Sequence, residues 1–340
     1  MKKSSHHGGT TPAPKASLAV TAIAERETMH NRTRVTTAPI RAVCALPSDH
    51  PDDVVRFLVS SHQAGHGCVL ALLTDIVEGA SRPLGTLMAI RDDGHYVGMV
   101  SGGCVEASVV SEACLAMAEG HDRICRYGKG SPWFDIVLPC RGGIGLHLHV
   151  IRDSIALTGF LELRASRRTV LLHYDSANET LNIEKGDALV GWQGSRFTAR
   201  FFPDPQILLF GEGLESHFLT ALAAAAGLTL MRGDLSSVAE YAQDCETALV
   251  LLHHDLEREL PILQAALQTR AFFIGCLGSR KTQARRLAAL RQAGYDAAAL
   301  ERIRGPIGLF GPSREARSLA VSVLAELFAL TEARRAEQTP

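Results

Sequence analysis

The residues best placed to do chemistry stand together in Val100-Ser101-Gly102-Gly103-Cys104-Val105-Glu106, where two glycines deliver a thiol and then a carboxylate at the start of a helical pattern. Backbone N–H groups and the positive end of a helix dipole at such a turn favour a thiolate and nearby anions. The alternative is a structural cysteine, since free Cys is among the most commonly buried residue types. A second group, Gly211-Glu212-Gly213-Leu214-Glu215-Ser216, approximates G-x-G-x-x-G with Ser216 in place of the third glycine. Asp234 follows where a dinucleotide fold carries its ribose-binding carboxylate. Glu212 and Glu215 sit where a pyrophosphate would approach, so a simpler reading stands beside it: the glycines permit a tight strand-to-helix turn. In a third group, Gly275-Cys276-Leu277-Gly278-Ser279-Arg280-Lys281, backbone donors, a hydroxyl and two cations form either an anion site or a helix start capped by Ser279. His253, with His254, ends a neighbouring strand and reads as a ligand contact or a solvated loop residue. His147 and His149 share one strand face and read most simply as a solvent-facing pair, no third metal ligand being identifiable.

Positioning these groups takes two kinds of architecture. Residues 1–40, rich in Ser, Thr, Pro, His and Lys, have no apolar periodicity and are expected to be disordered. Pro51 to Ala64 reads as a helix after the capping candidates Ser48 and Asp49, and the apolar run Cys68 to Val77 as a buried strand. Strands are expected over Thr86–Ile90, Tyr96–Val100, Ile144–Ile151, Thr169–Tyr174, Thr180–Ile183 and Phe197–Phe202, with helices over Glu106–Ala118 and Ser154–Ala165. Pro203-Asp204-Pro205 marks a linker. From Gln206, strands (Ile207–Phe210, Leu228–Met231, Ala248–Leu252, Phe272–Gly275) alternate with helices (Glu215–Ala226, Leu260–Leu267, Arg280–Gln292, Arg314–Thr331). That alternation argues for a Rossmann-like, doubly wound parallel sheet. The expected organisation is α/β: a mixed α+β domain over 41–204, the Rossmann-like domain over 205–332, and a disordered tail over 333–340.

The 340 residues suffice for two cores, and a formal charge of −1 draws the chain to neither nucleic acid nor an anionic membrane. No apolar run reaches the roughly 20 residues of a bilayer span and no signal pattern opens the chain, so a cytoplasmic protein is expected. The eight cysteines lie at 44, 68, 104, 114, 125, 140, 245 and 276. With no close C-x2-C pair, they are expected to be free thiols rather than zinc ligands or disulfides.

Taken in order, Gly79-Ala80-Ser81-Arg82-Pro83-Leu84-Gly85 through Ser101-Gly102-Gly103-Cys104-Val105-Glu106, then Leu138-Pro139-Cys140-Arg141-Gly142-Gly143-Ile144, Gly211-Glu212-Gly213, Leu251-Leu252-His253-His254-Asp255, Ile274 to Arg280 and Gly305-Pro306-Ile307-Gly308-Leu309 through Leu324-Ala325-Glu326 resemble the XdhC/CoxI family of xanthine dehydrogenase accessory factors. The likeness spans roughly residues 50–330. It implies a chaperone that binds molybdenum cofactor of the molybdopterin type, protects it while a cysteine desulfurase supplies the terminal sulfido ligand, and passes it to a xanthine dehydrogenase-type hydroxylase. A homodimer is one open oligomeric state. On this reading Cys104 and Cys140 face molybdenum, and Arg82, Ser279 and Arg280 contact phosphate. Gly102, Gly103, Glu106, Gly211, Gly213, His253 and Gly278 complete the cofactor-binding set. The chain departs from the family at Cys140-Arg141-Gly142, where Cys-Gly-Gly is common, and at Phe310-Gly311-Pro312-Ser313. The competing readings are an NAD(P)-binding oxidoreductase built on Gly211, Gly213 and Asp234, and a thiol enzyme carrying persulfide on Cys104.

Overall fold

The computed structural model describes residues 40–131, 141–253 and 255–337. Apart from Ile40 these belong to one compact unit, Arg41–Pro340. Cys140, His254 and the expected disordered segments over 1–39 and 338–340 lie outside the described residues.

The first half contains β1 (Val43–Leu46), α1 (Pro51–Gln63), β2 (Cys68–Val77), β3 (Leu87–Arg91), β4 (His95–Val97), α2 (Glu106–Glu119), β5 (Arg123–Gly128), β6 (Gly143–Val150), α3 (Ile155–Ala165), β7 (Val170–Asp175), β8 (Thr180–Lys185), β9 (Gly191–Gln193) and β10 (Arg196–Phe201). A six-stranded sheet runs β1-β4-β3-β2-β6-β5 and a four-stranded sheet runs β8-β7-β10-β9. One face of the larger sheet buries Val69, Ala71, Leu73, Leu146 and Leu148 against Val109, Val110, Ala113 and Ala116 of α2. Its other face sets Leu70 and Leu72 in a core with α1 (Val54, Val55, Leu58), α3 (Leu157, Phe160) and the smaller sheet (Val170, Leu172, Tyr174, Phe197). A strand covered on both faces favours apolar side chains, which is why β2 is apolar from Cys68 to Leu73, before Thr74 and Asp75.

The same double cover corrects the reading of the β6 histidines. His147 and His149 are buried at 6% and 7% exposure. The His147 ring lies 4.9 Å from that of Trp192, with Nδ1 2.9 Å from Thr74 Oγ1. His149 Nδ1 lies 2.7 Å from Asp122, which also accepts from the Tyr174 hydroxyl. Three local features differ too. The cap of α1 is His50, whose Nδ1 accepts from the Asp52 amide, rather than Ser48 or Asp49. Strand β1 is absent from the expected elements: it is a fully exposed edge strand whose parallel pairing with β4 leaves no burial pattern to read. Finally, β4 stops at Val97 because the amides of Val100 and Ser101 bond Glu106 instead of a neighbouring strand.

The second half alternates as expected: β11 (Gln206–Phe210), α4 (Leu214–Ala225), β12 (Thr229–Arg232), α5 (Leu235–Tyr241), β13 (Thr247–Leu251), α6 (Leu256–Leu267), β14 (Phe273–Cys276), α7 (Arg280–Gln292), α8 (Ala297–Glu301), β15 (Ile303–Arg304) and α9 (Ala316–Glu337). The five strands are parallel in the order β12-β11-β13-β14-β15. Strand alternation sends Leu208, Phe210, Leu249, Leu251 and Ile274 to one layer with Val238, Ile262, Leu263 and Leu290. It sends Ile207, Leu209, Ala248, Val250 and Phe273 to the other, against Leu219 of α4 and Ala320, Val323 and Leu327 of α9. Helix α9 continues past Thr331 to Glu337, so the segment expected as a disordered tail from 333 is helical as far as 337.

The proline-flanked Asp204 does more than separate the halves. Its carboxylate lies 3.0 Å from His50 Nε2 and accepts from Arg164, which also donates to Asp52. Arg167 donates to the Asp204 carbonyl and forks onto the Asp244 carboxylate at 2.7 and 3.1 Å. A bidentate guanidinium–carboxylate pair of this kind fixes orientation as well as distance.

Candidate functional site

Cys104 is exposed, and the loop that presents it is organised by the neighbouring carboxylate. Glu106 is 2% exposed. It accepts from the amides of Val100, Ser101, Gly103 and Val105 and from the Ser101 hydroxyl, at 2.8 to 3.1 Å. The Ser101 oxygen in turn accepts from the amides of Cys104 and Val105. Burial pushes the Glu106 carboxyl up, but the hydrogen bonds from Ser101 and Val105 outweigh it and hold the group below the usual carboxylate range. The donors that the sequence suggested for the sulfur or an anion are therefore spent inside the loop. Gly102 and Gly103 adopt φ of 83° and 110°, conformations that side chains resist, although a Cβ at either would meet nothing within 4 Å. This turn is a rigid display of one thiol, with Glu106 as its internal anion.

Ser81 donates to the Ser101 carbonyl at 2.9 Å, which sets the Arg82 segment against the Cys104 loop. Arg82 itself pairs with Asp49 at 2.6 Å and lines a cleft of about 840 Å³ together with His50, Arg200, Phe202, Glu332 and Arg335. The last two belong to the end of α9, and adjacent Arg334 donates to the Cys245 carbonyl and to Glu246, just before β13. The cleft therefore opens at the amino-terminal edge of the parallel sheet.

The remaining candidates converge at the opposite, carboxyl edge, where open α/β sheets bind ligands at the reversal of strand order, here between β11 and β13. Gly211, with φ of 111°, follows β11 so closely against the next strand that a Cβ would lie 2.9 Å from the Leu252 carbonyl and 3.2 Å from the His253 nitrogen. Gly213 is the N-cap of α4, and buried Ser216 donates to the Gly211 carbonyl at 3.0 Å, closing the turn in place of a third glycine. After β14, Gly278 (φ 138°) leads to Ser279, the N-cap of α7, which accepts from the Thr282 amide, and then to exposed Arg280. Gly211, Gly213, His253, Gly278, Ser279 and Arg280 thus share one sheet edge. Arg82 does not join them, because strands of four to five residues, roughly 13 to 17 Å, lie between the two edges. The ribose candidate Asp234 is the N-cap of α5, its Oδ1 accepting from Ser236 and Ser237, and these bonds lower it to about 2.

Among the described residues, His50, Asp52 and Asp204 are close enough to share a metal ion. Arg164, almost fully buried, already supplies their positive charge. Sequence patterns also missed a cross-tie beneath the carboxyl edge, where Arg286 and Glu259 form an ion pair with side chains 0% and 2% exposed. The signal was legible in part: Arg286 and Glu259 fall on the helical faces that bury Leu290 and Ile262–Leu263.

Two family models match the chain, one described as the XdhC and CoxI family over residues 61–128, the other as the XdhC Rossmann domain over residues 207–327. The molybdenum cofactor insertion chaperone PaoD of Escherichia coli is 44% identical over 283 residues, covering 83% of this chain and 89% of PaoD. The chain belongs to the XdhC and CoxI family. A more distant relative, from Bacillus subtilis, is named as a probable xanthine dehydrogenase component; it is 23% identical, the match covering 76% of this chain and 92% of that protein. A crystal structure described as a xanthine dehydrogenase from Bacillus halodurans shares the fold, with a TM-score of 0.64 at 18% identity over 82% of this chain and 96% of that one. The Cys104 loop falls within the first family match, and the whole carboxyl-edge group within the second.

Proposed function

We propose that this protein is a molybdenum cofactor chaperone that shields its cargo during sulfuration by a cysteine desulfurase and delivers it to a xanthine dehydrogenase-type molybdenum hydroxylase. The support is the 44% identity to a relative named as a molybdenum cofactor insertion chaperone. The structural observation that carries the reading is the exposed Cys104 thiol on a loop locked by Glu106, within the family-matched region. The cargo is an anionic phosphate ester with a soft, sulfur-rich metal centre, and the chain carries donors of both kinds, a thiol on the Cys104 loop beside the Arg82 segment and phosphate donors at the carboxyl edge of the parallel sheet. A thiol suits the metal side, with Gly102 and Gly103 shaping the approach and Cys140 a second candidate. The turn Gly278-Ser279-Arg280 at the start of α7 suits a phosphate, with Gly211, Gly213 and His253 around it. Arg82 can serve a phosphate only by leaving Asp49.

On this reading the protein acts in the cytoplasm, as a homodimer or a monomer, and its partners are the desulfurase and the client hydroxylase. No helix among the described residues is long and apolar enough to cross a membrane. The oxidoreductase reading has no observation of its own in favour, because Asp234 caps a helix and Glu212 stands exposed in the turn. Mixing the purified protein with released molybdenum cofactor is expected to give a near-stoichiometric complex, weakened at least tenfold by Cys104→Ala. Absence of binding at micromolar concentrations would overturn the proposal.

A further inference from the structure

Arg286 is the largest fully buried side chain among the described residues, in a position where an apolar residue would be expected. Its Nε and a terminal nitrogen donate to one Glu259 oxygen at 2.9 and 2.7 Å, and the other terminal nitrogen donates to Gln283 at 2.5 Å. A further bond at 3.0 Å reaches the carbonyl of Leu277, the residue before the Gly278-Ser279-Arg280 turn. Glu259 lies in the first turn of α6, where its amide donates to the Asp255 carbonyl, and the loop entering that turn carries His253. Gln283 extends the network by donating to the Ile303 carbonyl in β15.

Buried ion pairs are weak devices for stability. Removing two charges from water costs about what their attraction returns, and apolar residues of similar volume often serve the fold as well or better. What this pair does that a Met–Leu pair could not is hold a specific carbonyl at one loop and a specific helix start at the other. We propose that Arg286, with Glu259, is a positioning residue that fixes the His253 loop and the Gly278-Ser279-Arg280 turn relative to each other so that the start of α7 meets an anionic cargo. The inference rests on the cofactor-binding reading above. Arg286, enclosed on all sides, touches no ligand itself.

The double variant Glu259→Leu/Arg286→Met separates positioning from folding. It is expected to stay folded while binding released molybdenum cofactor at least tenfold more weakly. Amide hydrogen exchange over residues 277–282 is expected to accelerate at least tenfold, with exchange in β11 and β13 unchanged. Arg286→Lys, which keeps the charge but not the planar fork, is expected to weaken binding about fivefold, and it carries the test if the double variant does not fold. Wild-type protein that binds no cofactor overturns the site reading and the inference with it. A folded variant with wild-type affinity, or with wild-type exchange over 277–282, overturns the positioning role alone.

Discussion

Glu106 shows how one carboxylate changes the meaning of a motif. Adjacent to Cys104 in sequence, it is a natural partner for the chemistry of the thiol, yet it points inward and collects five donors. Glu106→Ala should cost about 2 to 4 kcal/mol in denaturant unfolding, because it strands several buried amides at once. Glu106→Gln should cost less, since it retains an acceptor oxygen. The folded-state pKa of Glu106 lies below its ordinary value, so its contribution is complete above the unfolded-state pKa near 4.5 and disappears as pH falls through the folded one. Protection of the Gly103 and Val105 amides, followed by hydrogen exchange, should fall over that same range.

At the scale of elements, the two glycine turns make different demands. Gly103→Ala meets open space and carries only the backbone strain of φ 110°, whereas Gly211→Ala adds a collision with the Leu252 backbone. Gly103→Ala should therefore cost about 1 to 2 kcal/mol, and Gly211→Ala clearly more, on the order of 3 kcal/mol, when both are measured by chemical unfolding. The elements themselves were largely legible, because periodicity reports burial: β2 (Cys68–Val77) and α7 (Arg280–Gln292) have the boundaries the apolar pattern gives them. Where burial follows no simple period, the pattern misled. Edge strand β1 is exposed throughout, and β6 buries both its faces, so His147 and His149 looked solvent-facing when each is enclosed with its own partner.

Across the whole molecule, Arg167 ties the first half to the second through Asp244, while Arg164 holds Asp204 of the connecting segment to Asp52. Arg167→Ala should split a single calorimetric unfolding transition into two, as the five-stranded sheet loses the forked Arg167–Asp244 tie to the first half. Acid should also destabilise the fold through its interior. His147 is held below its ordinary value by burial. The unfolded chain therefore takes up a proton near pH 6.5 that the folded chain refuses, and stability drops as pH falls through that value. Glu246, raised by burial, works in the opposite sense and offsets part of this at lower pH. His147→Phe should flatten the dependence of unfolding temperature on pH between 7 and 5.5.

By itself the sequence determined the class of fold, the order of its main helices and core strands, the family, and the three turns that carry Cys104, Gly211 and Ser279. Those properties are local, written in the spacing of apolar residues and in glycines that particular backbone angles require. Only the tertiary structure decided which candidates share a face. It gathered Gly211, His253 and Gly278–Arg280 at the carboxyl edge of one parallel sheet, put Arg82 in a cleft at the other edge, and turned Glu106 and Asp234 to the service of their own loops. The Arg286–Glu259 pair, 27 positions apart in sequence, belongs to the same category. Hydrogen bonds and ion pairs between residues distant in sequence depend on strand order and helix placement, and no periodicity within a single element encodes them.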